Sequence, residues 1–104
     1  MTPASVVVKR GSVHLTHETC QRYFPGLESV ILLRRDNDLV IMPVRHAAGG
    51  GYILKLRNSA GDRVVTAADF FRQNGIEDTV ELHLQAFWCA KQAGLEARDV
   101  FLQT

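Results

Sequence analysis

The chain alternates short apolar runs with polar punctuation, and the runs have the length and β-branched content of strands. Val6-Val7-Val8-Lys9 opens as a strand, turns at Arg10-Gly11 and resumes through Val13 to Leu15. Thr16 stands where a helix N-cap belongs, and Glu18 falls in the first turn, where its charge complements the helix N-terminus. Cys20, Tyr23 and Phe24 supply the apolar stripe of a short helix that Pro25-Gly26 ends. Ser29 to Leu33 and Leu39 to Val44 are apolar strands joined by Arg34-Arg35-Asp36-Asn37-Asp38, a polar connection that predicts a hairpin. Beyond it, Arg45 to Gly51 ends in consecutive glycines with no side chains to define a conformation, which predicts a hinge.

The second half has the same grammar. Tyr52 to Arg57 reads as a strand, Asn58-Ser59-Ala60-Gly61 as a turn, and Arg63-Val64-Val65 as the returning strand. Thr66-Ala67-Ala68-Asp69 has capping-box form, with Phe70 and Phe71 anchoring a helix that Asn74-Gly75 stops. Thr79 to Leu84 alternates, Val80, Leu82 and Leu84 against Glu81 and His83, as a half-buried strand does. Ala86 to Ala93 predicts a third helix, stopped by Gly94, with Leu95 to Leu102 a terminal helix or an extended tail. Gly11 to Thr16, with Leu27 and Val30 downstream, is echoed by Gly61 to Thr66, with Ile76 and Val80 downstream. The expected fold is α+β: a small, mostly antiparallel, barrel-like sheet built from two strand–helix–strand units with a C-terminal helical cap. Residues 1–104 form a single domain, with an internal repeat of 6–44 and 52–85 joined by the glycine-rich hinge.

Composition narrows the function classes. At 104 residues, with 46% hydrophobic and 22% charged side chains, the chain suits one globular domain with a modest core. A net charge of +1 argues neither for nor against a polyanionic partner, but residues 1–60 carry +4 and residues 61–104 carry −3. That asymmetry suits nucleic-acid contact or charge-complementary self-association. The opening residues lack a basic, apolar secretory signal and no window is long and apolar enough to span a bilayer, so a cytoplasmic protein with reduced Cys20 and Cys89 is expected.

Gly11 through Glu18 to Leu27, followed by Val30 to Leu33 and Leu39 to Pro43, resembles the swapped-hairpin unit of the AbrB and SpoVT family of bacterial transcription regulators and antitoxins. The resemblance covers roughly residues 6–44, and a second unit would cover about 52–85, similar to tandem, cell-division-associated members of that superfamily. It implies a non-enzymatic homo-oligomer, a dimer in the first instance, that contacts DNA through Lys9, Arg10 and Arg22, with Arg34 and Arg35 at the hairpin tip and with Arg57 and Arg63 available to extend the patch on either side of Asp62. Guanidinium groups suit this use because their planar donors bind phosphate oxygens and base edges bidentately.

Two alternatives use other residues. Phe87, Trp88 and Lys91, with the acidic second half, are candidates for binding a separate protein partner, set against the plainer reading that Trp88 closes one end of the core. His14, His17 and Cys20 have a three-residue rhythm and offer Zn²⁺ or Cu⁺ ligands, but a strand ending and a helix beginning at Thr16 would send them apart, so no metal and no cofactor is expected. Catalysis has little support: Cys20 beside His17 lacks an orienting group, and Gly49-Gly50-Gly51 lacks the Lys-Ser/Thr ending and following helix of a phosphate loop.

Overall fold

In the computed structural model, which describes residues 3–44 and 51–101, β1 (Ala4–Lys9) and β2 (Ser12–Leu15) lead into α1 (His17–Tyr23), β3 (Ser29–Arg35) and β4 (Asp38–Val44). The second half follows the same order, with β5 (Tyr52–Ile53) and β6 (Lys55–Leu56), then β7 (Arg63–Thr66), α2 (Ala68–Gln73), β8 (Glu81–Cys89) and β9 (Gly94–Ala97). All pairings are antiparallel, in the order β5-β3-β4-β9-β8-β1-β2-β7-β6. The terminal members β5 and β6 are separated along the chain by buried Leu54 alone, so the sheet is a nearly closed barrel.

The pairing crosses between the halves. β1 takes β8, from Ala4 opposite Ala86 to Lys9 opposite Glu81, and β3 takes β5, with Val30 opposite Tyr52. β2 takes β7 and β4 takes β9. Exchanging the strands of one half for those of the other leaves this scheme unchanged. The exchange axis enters through the β2–β7 pair, where His14 lies opposite Val64, and leaves through β4–β9.

Period-two alternation sends one side of each strand into a single core. Val6, Val8, Val13, Leu15, Val30, Leu39, Ile41, Val65 and Leu95 are all essentially inaccessible, and each full burial contributes about 1.5–3 kcal/mol. The helices close the two ends. At one end α1 inserts Cys20 and is followed by buried Phe24; at the other α2 inserts Phe71, which lies 6.3 Å from Phe101 with Phe70 edge-on to both. Phe101 is fixed there by its N–H donating to the Asn37 carbonyl at 2.9 Å. Among the described residues no helix is long and apolar enough to cross a membrane.

Several sequence expectations need correction. Thr16 caps α1, its hydroxyl accepting from the Thr19 N–H at 3.1 Å, but Thr66 does not cap α2. Thr66 stays in β7 opposite Ser12, because β7 needs it to reach along β2, and Ala67 becomes the N-cap with no side-chain bond. No helix forms at Ala86–Ala93: Ala86 and Trp88 continue the inward alternation of β8, Ala90 to Ala93 turn, and β9 pairs back with Cys89 opposite Gly94. Non-local pairing overrides the helix propensity of alanine here. The helical cap supplied by the C-terminal half is α2, backed by the turn that seats Phe101. The predicted Tyr52–Arg57 strand is split at Leu54, and the hairpin strands run closer together than expected, leaving Asp36 and Asn37 between Arg35 and Asp38. Residues 45–50 of the predicted hinge lie outside the described residues.

Gly11 is required twice over. Its φ is +72°, and a Cβ would stand 2.6 Å from the Ala68 Cα, where α2 lies against the β1–β2 turn and the Ala67 N–H donates to the Gly11 carbonyl at 3.0 Å. Gly26 has a similar φ of +70° but open space around it. Gly11→Ala should therefore cost clearly more than Gly26→Ala, about 2–4 kcal/mol against about 1. Chemical denaturation of the two variants measures the difference.

Candidate functional site

Where strands lie side by side, paired residues share a face, so the register fixes which side chains meet outside the barrel. Across β8, β1, β2, β7 and β6 one outer row reads His83, Val7, His14, Val64 and Lys55. Lys9 follows Val7 on the same side of β1, beside Glu81 of β8, and Arg57 continues the side of Lys55 past the end of β6. Arg10 stands in the β1–β2 turn with φ +52°. Lys9, Arg10, Lys55 and Arg57 are exposed, and neither helix covers this face. Lys9 lies toward the α2 end and Arg57 toward the α1 end, with His14 between them.

The electrostatics of His14 report the same neighbourhood. Burial, followed by the charges of Arg57 and Lys9, pushes its pKa below the ordinary 6.5, and Glu81 opposes them. Its Nδ1 is buried without a hydrogen-bond partner. The two carboxylates of this face are already engaged. Glu81 accepts from His83 Nε2 at 2.7 Å, which holds its carboxyl below the usual range. Asp62 accepts from Asn58 Nδ2 at 3.1 Å and from the His17 N–H at 2.8 Å, with the same consequence.

The barrel disperses the basic residues singled out from sequence. Lys9 and Arg10 belong to the face just described. Arg34 and Arg35 are near the same end of the barrel but on β3, four strands from β1 by way of β4, β9 and β8. Arg34 is occupied there: its Nε donates to the Asp36 carbonyl at 2.7 Å, its Nη2 to Asn37 Oδ1 at 3.2 Å, and its guanidinium carbon lies 5.4 Å from the Phe101 ring centroid. Arg35 is exposed at the hairpin tip. Arg22 sits in the last turn of α1, 5.6 Å from the Tyr23 ring centroid, near the opposite end. Sequence reasoning missed Lys55, His14 and His83 as members of the basic face. Of the two residues expected to extend the patch, Arg57 joins this face, whereas Arg63 stands on the inward side of β7 opposite Leu15.

The Phe87–Trp88 segment is a strand, so its two rings point to opposite sides. Trp88 turns toward the core and stacks on Tyr23, centroids 5.5 Å apart and planes at 4°. Phe87 points outward opposite Glu96, 43% exposed, and Lys91 is exposed in the β8–β9 turn. Phe87 belongs to a second outer face, on β5, β3, β4, β9 and β8, with Leu33 and Ile53 also exposed and Ile31, Met42 and Val44 half-buried. Val40 shares that face: it is 1% exposed yet packs outside the main core, beneath its outer neighbours.

His14, His17 and Cys20 occupy three settings: the outer sheet face, the α1 start against Gly61, and the buried side of α1. Among the described residues no three His, Cys, Asp or Glu side chains gather as ligands for a metal. A cleft of about 300 Å³ under α1 is lined by His17, Cys20, Gln21, Glu28, Leu54 and Arg63. Arg63 Nη1 donates to the Leu54 carbonyl at 3.3 Å, and burial raises the Cys20 thiol pKa, the opposite of what activates a nucleophile.

Removing Trp88 should open the α1 end of the core, whereas truncating Phe87 leaves the interior intact. Trp88→Ala is expected to cost about 2–4 kcal/mol and Phe87→Ala less than about 1 kcal/mol, read from denaturation midpoints. In comparisons with family models, curated proteins and solved structures, the chain matched none.

Proposed function

We propose that this is a non-enzymatic, cytoplasmic regulatory protein that binds duplex DNA with the outer face of β8, β1, β2, β7 and β6. The observation that carries this reading is the cluster of Lys9, Arg10, Lys55 and Arg57 around His14, on a face whose carboxylates, Glu81 and Asp62, already have partners. Lys9 and Arg57 stand at exchange-related positions on either side of the axis through His14 and Val64. A twofold distribution of charge suits a duplex, whose backbones are related by local twofold axes. The crossed pairings β1–β8 and β3–β5 support the AbrB- and SpoVT-like interpretation, because each half completes the sheet of the other. Free Cys20 and Cys89 fit a reducing compartment.

The apolar outer face favours self-association as part of the same reading. Leu33, Ile53 and Phe87 expose large hydrophobic surface on the side of the barrel away from the basic face, so a homodimer joined there would leave both basic faces free. A separate protein partner on that face is the second reading, favoured by the exposure of Phe87 itself.

Fluorescence anisotropy with labelled random duplexes tests the DNA assignment. Binding should weaken steeply with added salt, and replacing Lys9 and Arg57 with Ala should lower the slope of log affinity against log salt by roughly one for each phosphate no longer neutralised. A folded protein that retains no duplex at low salt would refute the assignment. Light scattering tests the dimer: the wild-type chain should scatter as two copies, and Leu33→Lys with Phe87→Lys should return it to 11.6 kDa.

A further inference from the structure

The centre of the basic face is a single ring. In the outer row His83, Val7, His14, Val64 and Lys55, both immediate neighbours of His14 are valines, so the imidazole is the one polar side chain at the middle of the face, with the hydroxyls of Ser12 and Thr66 in the next row beside Lys9. Its Nδ1 is buried and unpartnered, whereas no such burial applies to Nε2, which is left as the nitrogen that an incoming ligand can reach. We propose that His14 receives a phosphate oxygen on this face: Nδ1 keeps the proton of the neutral ring, and Nε2 takes up one proton from solvent as the phosphate arrives and donates it to the phosphate oxygen. The inference rests on the reading of this face as phosphate-binding.

The physical reason lies in what surrounds the ring. In the free protein its neutral form is favoured, first by burial and then by the positive fields of Arg57 and Lys9. A phosphodiester between those cations reverses the local field and supplies an acceptor, so the imidazolium becomes the favoured form. The remaining charged groups around it are Lys55 from β6, Arg10 from the β1–β2 turn, Glu81 from β8 and Asp62 at the head of β7, with the His83 imidazole beside Glu81. Glu81 alone favours the charged ring in the free protein, and it is bonded to His83. His83 is thus the second imidazole of the face and the natural control.

Linkage sets the expected size. One proton taken up on binding raises affinity as pH falls, by at most about tenfold per pH unit between the free and bound midpoints of the ring. Anisotropy with a short labelled duplex should show this rise as pH falls through the bound midpoint and on to the free one, which lies below 6.5. His14→Gln should flatten it and His83→Gln should leave most of it. Histidine-ring NMR on the wild-type chain gives an independent readout: duplex, or sulfate as an anion of constant charge, should raise the His14 midpoint. An unchanged pH slope in His14→Gln, or a His14 midpoint that a bound ligand does not move, overturns the proposal. If no duplex binds at any pH while sulfate still raises the midpoint, the DNA reading falls and the oxyanion site at His14 stands; if neither ligand moves it, both fall.

Discussion

The backbone hydrogen bonds between the halves, β1 to β8, β2 to β7, β3 to β5 and β4 to β9, hold this molecule together, because they tie the first half of the chain to the second at four places around the barrel. Without them each half would be a short curl of strands with one apolar side and too little surface to cover it. With them, inward residues from both halves meet in one interior. Val6 and Val8 lie beside Leu84 and Leu82, and Leu39 and Ile41 beside Ala97 and Leu95. The helices are secondary to this arrangement. Each is short, each covers an end, and each depends on a glycine turn donated by the other half, α1 on Gly61 and α2 on Gly11.

Local alternation and turn chemistry made most strands legible in the sequence. Val6 to Leu15, the β3–β4 hairpin and the exposed–half-buried rhythm of Glu81 to Leu84 all follow from period two and the punctuation beside it. Ala86 to Ala93 misled because alanine favours helix in isolation, while its actual conformation is set by β1 and β9, the first of them far away along the chain. Thr66 misled for a related reason: cap chemistry was available, but pairing with Ser12 took precedence. The basic face was only partly legible. It is assembled from five strands drawn from both halves, so proximity along the chain marked Lys9 and Arg10 but said nothing of Lys55, His14 and His83 lying beside them. Arg34 shows the converse, a conspicuous tip arginine whose hydrogen bonds and aromatic contact with Phe101 make it part of the scaffold.

The two outer faces divide the surface by chemistry while sharing one backbone plan. Inward positions are constrained by packing, so they are mostly apolar on both halves, Arg63 opposite Leu15 being an exception at the α1 end. Outward positions carry no such constraint, and exchange-related sites differ freely: Val7 on β1 corresponds to Lys55 on β6, and His14 on β2 to Val64 on β7. Charge accumulates around the β2–β7 pole and apolar surface around the β4–β9 pole, with exposed Leu56 on β6 the apolar exception on the first side.

The crossed pairing also fixes an order of events during synthesis. Val6 to Val8 emerges from the ribosome well before its second partner, Leu82 to Leu84, is made, so β1 can form only its local hairpin with β2 in the interval. A β-branched edge waiting through translation is the segment most exposed to mispairing with other nascent chains. Lys9 and Arg10 directly follow it, charged residues in the position where they oppose edge-to-edge association.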